Sequence, residues 1–471
     1  MAQPFAGPCD RGLIAAAPIA RARCALRQRT IVLAACVLAS SMAFIDGSAL
    51  TVALPRLRVF FNAGYDSVQW VLNGYVLALA ALTLIGGALG DVYGKARMLA
   101  LGSISFGLAS AACIVAPSIE WLIALRVLQG ISAAIVTPSS LALIGAVYPR
   151  AERNRAIGVW AAASALTTAG GPVLGGWLTE TFGWQWVFAI NPLLALIAVG
   201  LLSAAPADRH ERRRFDLPGA AILAVALAAL AWALGAIGPQ GAGERGLAVV
   251  AAVLGVLALA GYALWERANV HPMTPPRLTR NRAFVGLNTA TLLLYCGLSI
   301  MFFLLSFDLI DRRHLTPTGA GLVLLPFTLG MGLLSRPFGA AADRIGARIL
   351  LICGPLGAAA AFALLALGKE ASLIVGVLAP VALLGVSFAT LVTPLTAVVL
   401  SSLGDADEGL ASGVNNAVAR IAQMAGIALA AGFASYAAGY RAAFFAAAAM
   451  ALAAAAIAMV LLPRGKRRRK S

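Results

Sequence analysis

Fourteen apolar segments of membrane-spanning length follow one another along this chain of 471 residues, and no other feature limits its fold as strongly. A backbone inside hydrocarbon finds no water to bind, so each segment must satisfy its own hydrogen bonds, as a helix does. The sequence therefore predicts an all-α polytopic membrane protein. The approximate limits of the segments are 31–54, 69–89, 98–117, 119–141, 156–178, 185–204, 217–237, 246–265, 284–307, 317–340, 348–367, 371–398, 410–435 and 442–462.

The composition agrees with a membrane protein and argues against a soluble one. Hydrophobic residues make up 61% of the chain and charged residues 12%, and the mean hydropathy is +0.88. So few polar groups could not cover the surface of a soluble protein of this length. The net charge of +17 does not indicate nucleic-acid binding, because the basic residues form short clusters between apolar segments rather than one continuous face.

The cysteines and histidines are too dispersed to predict a disulfide framework or a metal site. No two cysteines have CxxC spacing, and the histidines lie on three separate loops. The sequence also lacks a phosphate-binding G-x-x-x-x-G-K-[ST] loop, so no catalytic residue, metal or cofactor is predicted. The residues concerned are Cys9, Cys24, Cys36, Cys113, Cys296, Cys353, His210, His271 and His314.

The distribution of Lys and Arg between the segments predicts the topology. If the N-terminus lies in the cytoplasm, the cytoplasmic parts hold 26 of these residues and the loops on the other side hold 7. Because Lys and Arg accumulate in cytoplasmic loops, we predict a bacterial inner-membrane protein with both termini in the cytoplasm. Residues 1–30 resemble the basic region of a signal peptide, but the long first segment lacks a convincing cleavage site and is predicted to remain as a helix.

Two loop motifs repeat along the chain. The stretch "GALGDVYGKAR" (87–97) follows the second segment, "GAAADRIGAR" (339–348) follows the tenth, and their aspartates are 252 residues apart (343 − 91). Glycine permits tight turns, and Asp can cap a helix or pair with Arg across an interface, so such loops could gate a path. The predicted gating residues are Gly87, Asp91, Gly94, Arg97, Gly339, Asp343, Arg344, Gly346 and Arg348.

The repeat predicts two related six-helix bundles around a central path, which is a recurring design of transporters. The seventh and eighth segments then form an insertion. We divide the chain into a basic cytoplasmic tail (1–30), an N-terminal bundle (31–204), a linker with two extra transmembrane helices (205–283), a C-terminal bundle (284–462) and a second basic cytoplasmic tail (463–471).

Further motifs occur in a fixed order around the two loops. They are "AFIDGSALTVALP" (43–55), "LRVLQGISAA" (125–134), "GGPVLGGW" (170–177), "WQWVFAINP" (184–192), "FDLPG" (215–219) and "GLASGVNNAVARIAQMAG" (409–426). Together they resemble the major facilitator superfamily and its fourteen-helix drug:proton antiporter branch, often called EmrB/QacA-type, over roughly residues 31–462. The resemblance implies the major facilitator fold, with two six-helix bundles and two central linker helices, and transport by alternating access.

The fifth segment carries a motif that marks antiporters in the family it resembles. Gly171 and Gly175 form a GxxxG face that permits close helix packing, and Pro172 removes a backbone hydrogen bond. With Gly176 they are predicted to shape the interface. Thr167 stands where the family has an earlier glycine, and simple helix packing is the alternative interpretation.

Two of the charged residues inside apolar segments, Asp46 and Arg126, are candidates for proton coupling. Asp46 is eight residues from the end of the first segment (54 − 46), and Arg126 is seven residues into the fourth (126 − 119). At the rise of an α-helix, both would lie roughly 10–12 Å from the same membrane face. We expect Asp46 to bind and release a proton beside Arg126. The alternative is a static buried ion pair that fixes packing.

Five polar residues within the fourth and thirteenth segments are candidates to line a cavity, with interhelical hydrogen bonding as the alternative. They are Gln129, Asn415, Asn416, Arg420 and Gln423.

Acidic residues near segment ends receive separate predictions. Asp308 and Asp311 form a DxxD at the end of the ninth segment, and Asp308 is expected to be a charge at the membrane interface. Three acidic residues before the thirteenth segment are expected to complement its helix dipole and to meet Lys95 or Arg97 in one conformation. They are Asp405, Asp407 and Glu408.

These features predict a proton-coupled antiporter of the multidrug-efflux type that exports small hydrophobic or monovalent cationic compounds across the lipid bilayer. Within its limits, the tenth segment has no carboxylate. Some relatives in the family it resembles export divalent cations and carry an extra acid there, so a monovalent or neutral amphipathic cargo is favoured. Transport of one specific metabolite on the same fold stays an alternative, as does, more remotely, a polytopic membrane enzyme. The sequence leaves open whether accessory envelope proteins take part.

Overall fold

A computed structural model describes residues 18–205, 216–235, 245–269, 281–401, 408–434 and 439–461. Fourteen long helices make up these residues. They are α1 (Pro18–Phe60), α2 (Tyr65–Tyr93), α3 (Lys95–Ile114), α4 (Ile119–Val147), α5 (Arg150–Thr181), α6 (Gln185–Leu202), α7 (Leu217–Gly235), α8 (Arg245–Ala268), α9 (Arg282–Phe307), α10 (Pro317–Ile345), α11 (Ala347–Leu367), α12 (Ala379–Ser401), α13 (Glu408–Ala434) and α14 (Gly439–Leu461). One π-helical turn, Asp308–Arg312, extends α9, and another, Ile374–Leu378, precedes α12.

The all-α prediction is confirmed, but several boundaries differ from the apolar segments. Helix α1 starts at Pro18, inside the predicted tail, and continues past Pro55 to Phe60. Helix α10 extends to Ile345 and so includes Asp343, which the limits of the tenth segment (317–340) leave outside. Apolar periodicity marks the part of a helix that faces lipid or protein, and a polar extension beyond it leaves no such signal.

Not every helix qualifies as a membrane span. Within the described residues, 12 helices are long and apolar enough to cross a bilayer, and α2 would be a thirteenth, although it bends by 56° between Thr83 and Ile85. In α7 the apolar stretch covers only Ala221–Leu230. The count of fourteen spans therefore stays a prediction.

The helices pack as two groups with the same internal arrangement. In the N-terminal half, α1–α6, helix α2 packs on α4, α1 on α5 and α6, and α3 on α4 and α6. In the C-terminal half, α9–α14, helix α10 packs on α12, α9 on α13 and α14, and α11 on α12 and α14. Each pairing in one half thus has its counterpart in the other.

The two halves meet along two equivalent pairs of helices, α5 with α10 and α2 with α13, and α1 also touches α9. The hairpin α7–α8 lies outside both halves. Its first helix packs against α2 and α13, so it covers one of the two seams between the halves. Ala81, Leu227 and Ile421 fill this contact.

We call the two ends of the bundle the tail end and the far end. The tail end holds the start of α1, the α2–α3 and α10–α11 turns and the end of α14, and the far end holds the α1–α2 and α9–α10 connections. At the tail end the repeated motifs form matching turns, in which Gly94 (φ 103°) and Gly346 (φ 91°) each separate two helices. A side chain would be strained in this left-handed region, which explains the glycine in each copy.

The buried apolar core is continuous between the halves at the far end. One cluster joins Leu50, Leu54 and Phe188 of the N-terminal half to Phe303 and Phe327 of the C-terminal half. At the tail end the N-terminal half has a core of its own, to which, among the described buried residues, Met424 alone contributes from the other half. The halves are thus packed together at the far end.

Candidate functional site

A central cavity of about 430 Å³ lies between the two halves. Its volume falls in the range of about 300–1,000 Å³ that is usual for small-molecule sites. Helices α1, α2, α4 and α5 form one wall, and α9, α10, α12 and α13 form the other. The cavity therefore has the position of the central path that the internal repeat predicts.

Seven aromatic residues lie on the cavity wall. Phe302 packs edge-to-face against Phe327 with centroids 5.4 Å apart, and Phe327 packs against Phe388 at 5.8 Å. The full aromatic set is Phe44, Tyr75, Tyr295, Phe302, Phe303, Phe327 and Phe388. Such a surface suits a flat, apolar molecule. Among the described residues, the wall carries two arginines, Arg126 and Arg420, and neither Asp nor Glu.

Asp46 and Arg126 are in direct contact beside this cavity. Arg126 Nη1 donates to Asp46 Oδ2, and both side chains are fully buried. Taking either charge out of water alone would be costly, so each side chain needs the other as its ion-pair partner. Arg126 borders the cavity, and Asp46 does not. In this conformation the carboxylate is thus shielded from the cavity by its arginine.

Amide side chains complete the surroundings of Asp46. Asn191 Nδ2 donates to Asp46 Oδ1 at 3.1 Å, and Gln129 Nε2 approaches the same oxygen at 3.4 Å. Gln129 also donates to Ser110 Oγ at 2.6 Å and accepts from Arg126 Nη1 at 2.8 Å. Four helices, α1, α3, α4 and α6, thereby hold one carboxylate in a hydrogen-bonded network that is closed to water.

Arg126 is tied to three further groups in the N-terminal half. Its Nε donates to the carbonyl oxygen of Val71 at 3.0 Å, and its guanidinium lies 4.5 Å from the centroid of Tyr75 and 5.8 Å from that of Phe188. Its Nη2 is buried without a hydrogen-bond partner among the described residues. Arg126 thus connects Asp46 with the cavity wall through contacts on three helices, α1, α2 and α6.

The structure distributes the five predicted cavity residues between two places. Asn415, Asn416, Arg420 and Gln423, all on α13, line the cavity. Gln129 does not, because its side chain is fully buried in the network around Asp46. The position of Gln129 in the fourth segment could not show whether it faces the cavity or the network around Asp46, since both lie within one helix turn of Arg126.

The network includes residues that sequence reasoning missed. Asn191 lies in "WQWVFAINP", which was used only for the resemblance, although a lone amide in an apolar segment was a usable signal. Ser110 and Tyr75 left no such signal. Serine is common in membrane helices, and the sequence pattern treats Tyr75 as an apolar residue. The Tyr75 hydroxyl nevertheless donates to the carbonyl oxygen of Ala43 at 3.1 Å.

The glycines of the fifth-helix motif serve two interfaces. A Cβ added at Gly175 would lie 2.4 Å from the carbonyl oxygen of Ala49 on α1, so this face packs within the N-terminal half. Gly171 faces the neighbouring Ser48. A Cβ added at Gly176 would instead lie 2.3 Å from the carbonyl oxygen of Pro317 on α10, across the interface between the halves. Pro172 lines the cavity.

A polar latch joins the halves at the far end. Arg58 Nη2 donates to Asp311 Oδ2 at 2.9 Å, and the Arg58 guanidinium lies 4.7 Å from the Tyr65 ring centroid and 5.9 Å from that of Phe307. Nearby, Glu180 accepts a hydrogen bond from the backbone of Thr318 at 3.1 Å. These bonds close the cavity on this side.

The remaining predicted residues lie apart from the cavity. Asp308 is buried and accepts from Arg312 at 2.5 Å and from Arg313 at 3.0 Å, so it is ion-paired inside the protein, and its place at the membrane interface stays a prediction. At the tail end, Asp91 near the end of α2 lies 4.0 Å from Lys95, the first residue of α3.

As far as the structure describes them, the other predicted tail-end residues show no contact between the halves. Arg97 and Arg344 are exposed, and Arg348 donates to the carbonyl oxygen of Met459 at 2.7 Å, inside the C-terminal half. Gly87 of α2 faces Pro138 of α4, and Gly339 of α10 faces Thr393 of α12. Asp405 and Asp407 lie outside the described residues, and for Asp343 and Glu408 only the backbone is described. In the described part of the chain, no cluster of His, Cys, Asp and Glu could hold a metal ion.

Proteins of known type resemble this chain over most of its length. It is 33% identical over 406 residues to the multidrug resistance protein Stp of Mycobacterium tuberculosis (strain CDC 1551 / Oshkosh), covering 86% of this chain and 75% of that protein. It is 30% identical over 405 residues to the lincomycin resistance protein of Streptomyces lincolnensis, covering 86% and 84% of the two chains. A third relative, the tetracenomycin C resistance and export protein of Streptomyces glaucescens, is 32% identical over 399 residues, covering 82% and 72%.

Solved structures show the same fold at low sequence identity. The xylose transporter XylE from E. coli in an inward open conformation has a TM-score of 0.64 and 16% identity, covering 93% of this chain and 97% of that one. A peptide transporter POT in complex with sulfate has a TM-score of 0.69 and 16% identity, covering 92% and 94%. The family model described as "Major Facilitator Superfamily" matches residues 36–261 and 287–471. The chain therefore belongs to the major facilitator superfamily, a family of membrane transporters, within its drug-efflux branch.

Proposed function

We propose that the protein is a proton-coupled antiporter that exports small hydrophobic compounds from the cytoplasm. Its membrane would be the bacterial inner membrane, with the tail end and both termini in the cytoplasm, as the distribution of Lys and Arg favours. The resistance and export proteins that it resembles support drug-like cargo.

The observation that carries the proposal is the sealed network around Asp46. The carboxylate is fully buried and ion-paired, yet Arg126 separates it from the cavity by a single side chain. A proton on Asp46 would cancel the charge that Arg126 pairs with, so protonation changes the cavity wall directly. Arg126 borders the path of the cargo, and an arginine that only fixed packing would not need to do so.

The packing of the halves supports an inward-facing state. The latch of Arg58 and Asp311 and the apolar core both close the far end. With the tail end in the cytoplasm, the cavity would load cargo from inside the cell. Rocking of the halves would then close the tail end, expose the cavity outside and let Asp46 exchange its proton, as alternating access requires.

The test is efflux driven by a pH gradient, measured in inverted membrane vesicles with a panel of hydrophobic dyes. Wild type should accumulate dye when a gradient is imposed, and Asp46→Asn should not, because an amide cannot release a proton. Accumulation that survives collapse of the gradient would rule out antiport.

A double variant distinguishes coupling from a static ion pair. Removing one partner of a buried pair costs about 3–5 kcal/mol, whereas replacing both by apolar residues is often neutral. Asp46→Leu combined with Arg126→Met should therefore fold and still bind dye but lose gradient-driven transport. If the double variant transports as wild type does, the pair serves packing alone.

A further inference from the structure

The central cavity is electrically unbalanced. The charge of Arg126 is matched by Asp46, but the bond described for Arg420 runs to a neutral amide, with Nη1 donating to Gln423 Oε1 at 2.9 Å. No carboxylate lies on the wall among the described residues. The cavity thus keeps one net positive charge at Arg420, which repels a cation in a surrounding of low dielectric constant.

Arg420 is also a strong hydrogen-bond donor on the cavity wall. A guanidinium has five N–H groups and accepts no hydrogen bonds, so a single bond to Gln423 leaves donors for a ligand. Asn415 lies on the same face of α13 and uses its Oδ1 to accept from Thr291 at 2.9 Å, which leaves its amide N–H groups for other acceptors. This face therefore offers donors to oxygen.

The same half supplies the aromatic surface. Tyr295, Phe302, Phe327 and Phe388 line the C-terminal wall, and the last three form consecutive edge-to-face pairs. A ligand bound here would place flat rings against these side chains and an oxygen toward Arg420. Ring surface and oxygen recognition are thus combined on one half of the molecule.

An anionic cargo would pair with Arg420 but would oppose proton exchange. A negative charge in the cavity would favour the proton on Asp46, so loading of cargo would oppose release of the proton. An uncharged cargo avoids both this effect and the repulsion of cations. This step rests on the proposed antiport.

We propose that the cargo is an uncharged aromatic compound bearing a carbonyl-type oxygen, which accepts hydrogen bonds from Arg420 while its rings pack on the C-terminal wall. Of the hydrophobic or monovalent cationic compounds that the sequence predicts as cargo, this proposal selects the uncharged ones. Arg420 acts as the residue that determines specificity, and Asp46 stays on the opposite half as the proton site.

Three compounds with the same fused rings test the recognition of oxygen. They are fluorene, 9-fluorenone, which adds one carbonyl oxygen, and 2-(trimethylammonio)fluorene, whose charge is fixed at every pH. Purified wild-type protein should bind fluorenone about tenfold more tightly than fluorene, the scale of one hydrogen bond to a charged group, and should bind the cation most weakly.

Two variants of Arg420 show which residue sets this preference. Arg420→Met has similar length and no donor, so it should bind fluorenone and fluorene equally and gain affinity for the cation. Arg420→Lys retains a charged donor and should keep the preference for fluorenone. Tightest wild-type binding of the cation would overturn the proposal, as would a preference for fluorenone that persists in Arg420→Met.

Proton flux into a pH-sensitive dye inside proteoliposomes separates this proposal from the antiport itself. Fluorenone should induce proton flux through wild type, and fluorene-2-sulfonate, a fixed anion, should not. If the sulfonate induced equal proton flux, the proposal that the cargo is uncharged would be wrong. Asp46→Asn should lose the flux but keep the Arg420-dependent binding preference. If wild type shows that preference without any flux, antiport fails while the recognition of oxygen stands.

Discussion

The N-terminal and C-terminal halves share one helix framework but differ in what they bury. Helices α2 (Tyr65–Tyr93) and α10 (Pro317–Ile345) have the same length and are offset by 252 residues at both ends (317 − 65, 345 − 93). The same offset takes Asp46 to Leu298, Arg126 to Leu378 and Asn191 to Ala443. Every charged or amide position of the network thus corresponds to an apolar residue in the second half.

This difference indicates a division of labour on a symmetric scaffold. The helices can pack without the charged and amide residues, since the second half folds around apolar residues at the equivalent positions. Buried charges without a function would give the first half no gain in stability, because ion pairs out of water rarely stabilise more than apolar side chains do. In the proposed antiport, the first half would therefore hold the proton chemistry, and the second half, with Arg420 and most of the aromatic wall, would bind the cargo.

The largest expected difference between the halves is that between substitutions of Asp46 and of its counterpart, Leu298. Asp46→Asn should abolish transport driven by a pH gradient, because the proton site is removed. Leu298→Asn places the same amide at the equivalent position of the second half and should keep coupling to protons. The measurement is gradient-driven dye accumulation in inverted vesicles, with expression and melting temperature as controls. Equal loss in both variants would show that any amide in the cavity region blocks transport.

Two adjacent glycines of α5 should separate packing inside a half from contact between halves. Gly175→Ala would push a Cβ against the Ala49 backbone of α1 and destabilise the fold by about 1–3 kcal/mol. Gly176→Ala would meet the Pro317 backbone of α10 instead. It should leave the melting temperature closer to that of wild type and hinder closure of the far end.

Thermal unfolding and far-end access measure these two effects. A thiol placed at Ser48 in the cavity should react with a membrane-impermeant reagent from the far side faster in Gly176→Ala than in wild type. Gly170→Ala is the matched control, because a Cβ at Gly170 would meet nothing within 4 Å. Identical melting temperatures and reactivities in Gly175→Ala and Gly176→Ala would show that the two faces of α5 are equivalent.

Sequence reasoning succeeded where a single segment carried the signal. Hydropathy located the helices, and the loop motifs placed glycine at both tail-end turns, because strained backbone leaves a direct mark in the sequence. It also singled out Asp46 and Arg126, since a charge in an apolar segment is conspicuous. The structure brings these two side chains together although α1 extends to Phe60, well past the end from which the depth of Asp46 was counted.

Properties that depend on several helices could not be read in this way. The rotation of α4 directs Gln129 into the buried network and not to the cavity, and only the packing of α3 against α4, with α6 against α3, decides this. Asp308 acquires two arginine partners from the turn that follows α9. The charge of the cavity depends on which arginine has a carboxylate beside it, and hydropathy carries no such information.

The smallest expected effect concerns the far-end latch. Arg58 and Asp311 lie in different halves with 30% of each side chain exposed, and exposed pairs contribute only about 0.2–1 kcal/mol. Asp311→Asn should therefore shift the balance between closed and open far ends by a few fold at most. The Arg29–Glu152 pair, 3.6 Å apart at the tail end and inside one half, is the matched control, and Glu152→Gln should leave far-end access unchanged. The reactivity of a thiol at Ser48 measures both variants. Because salt screens an exposed pair, the difference between Asp311→Asn and wild type should shrink as ionic strength rises, whereas a salt-independent difference would assign closure to the aromatic contacts of Tyr65 and Phe307 instead.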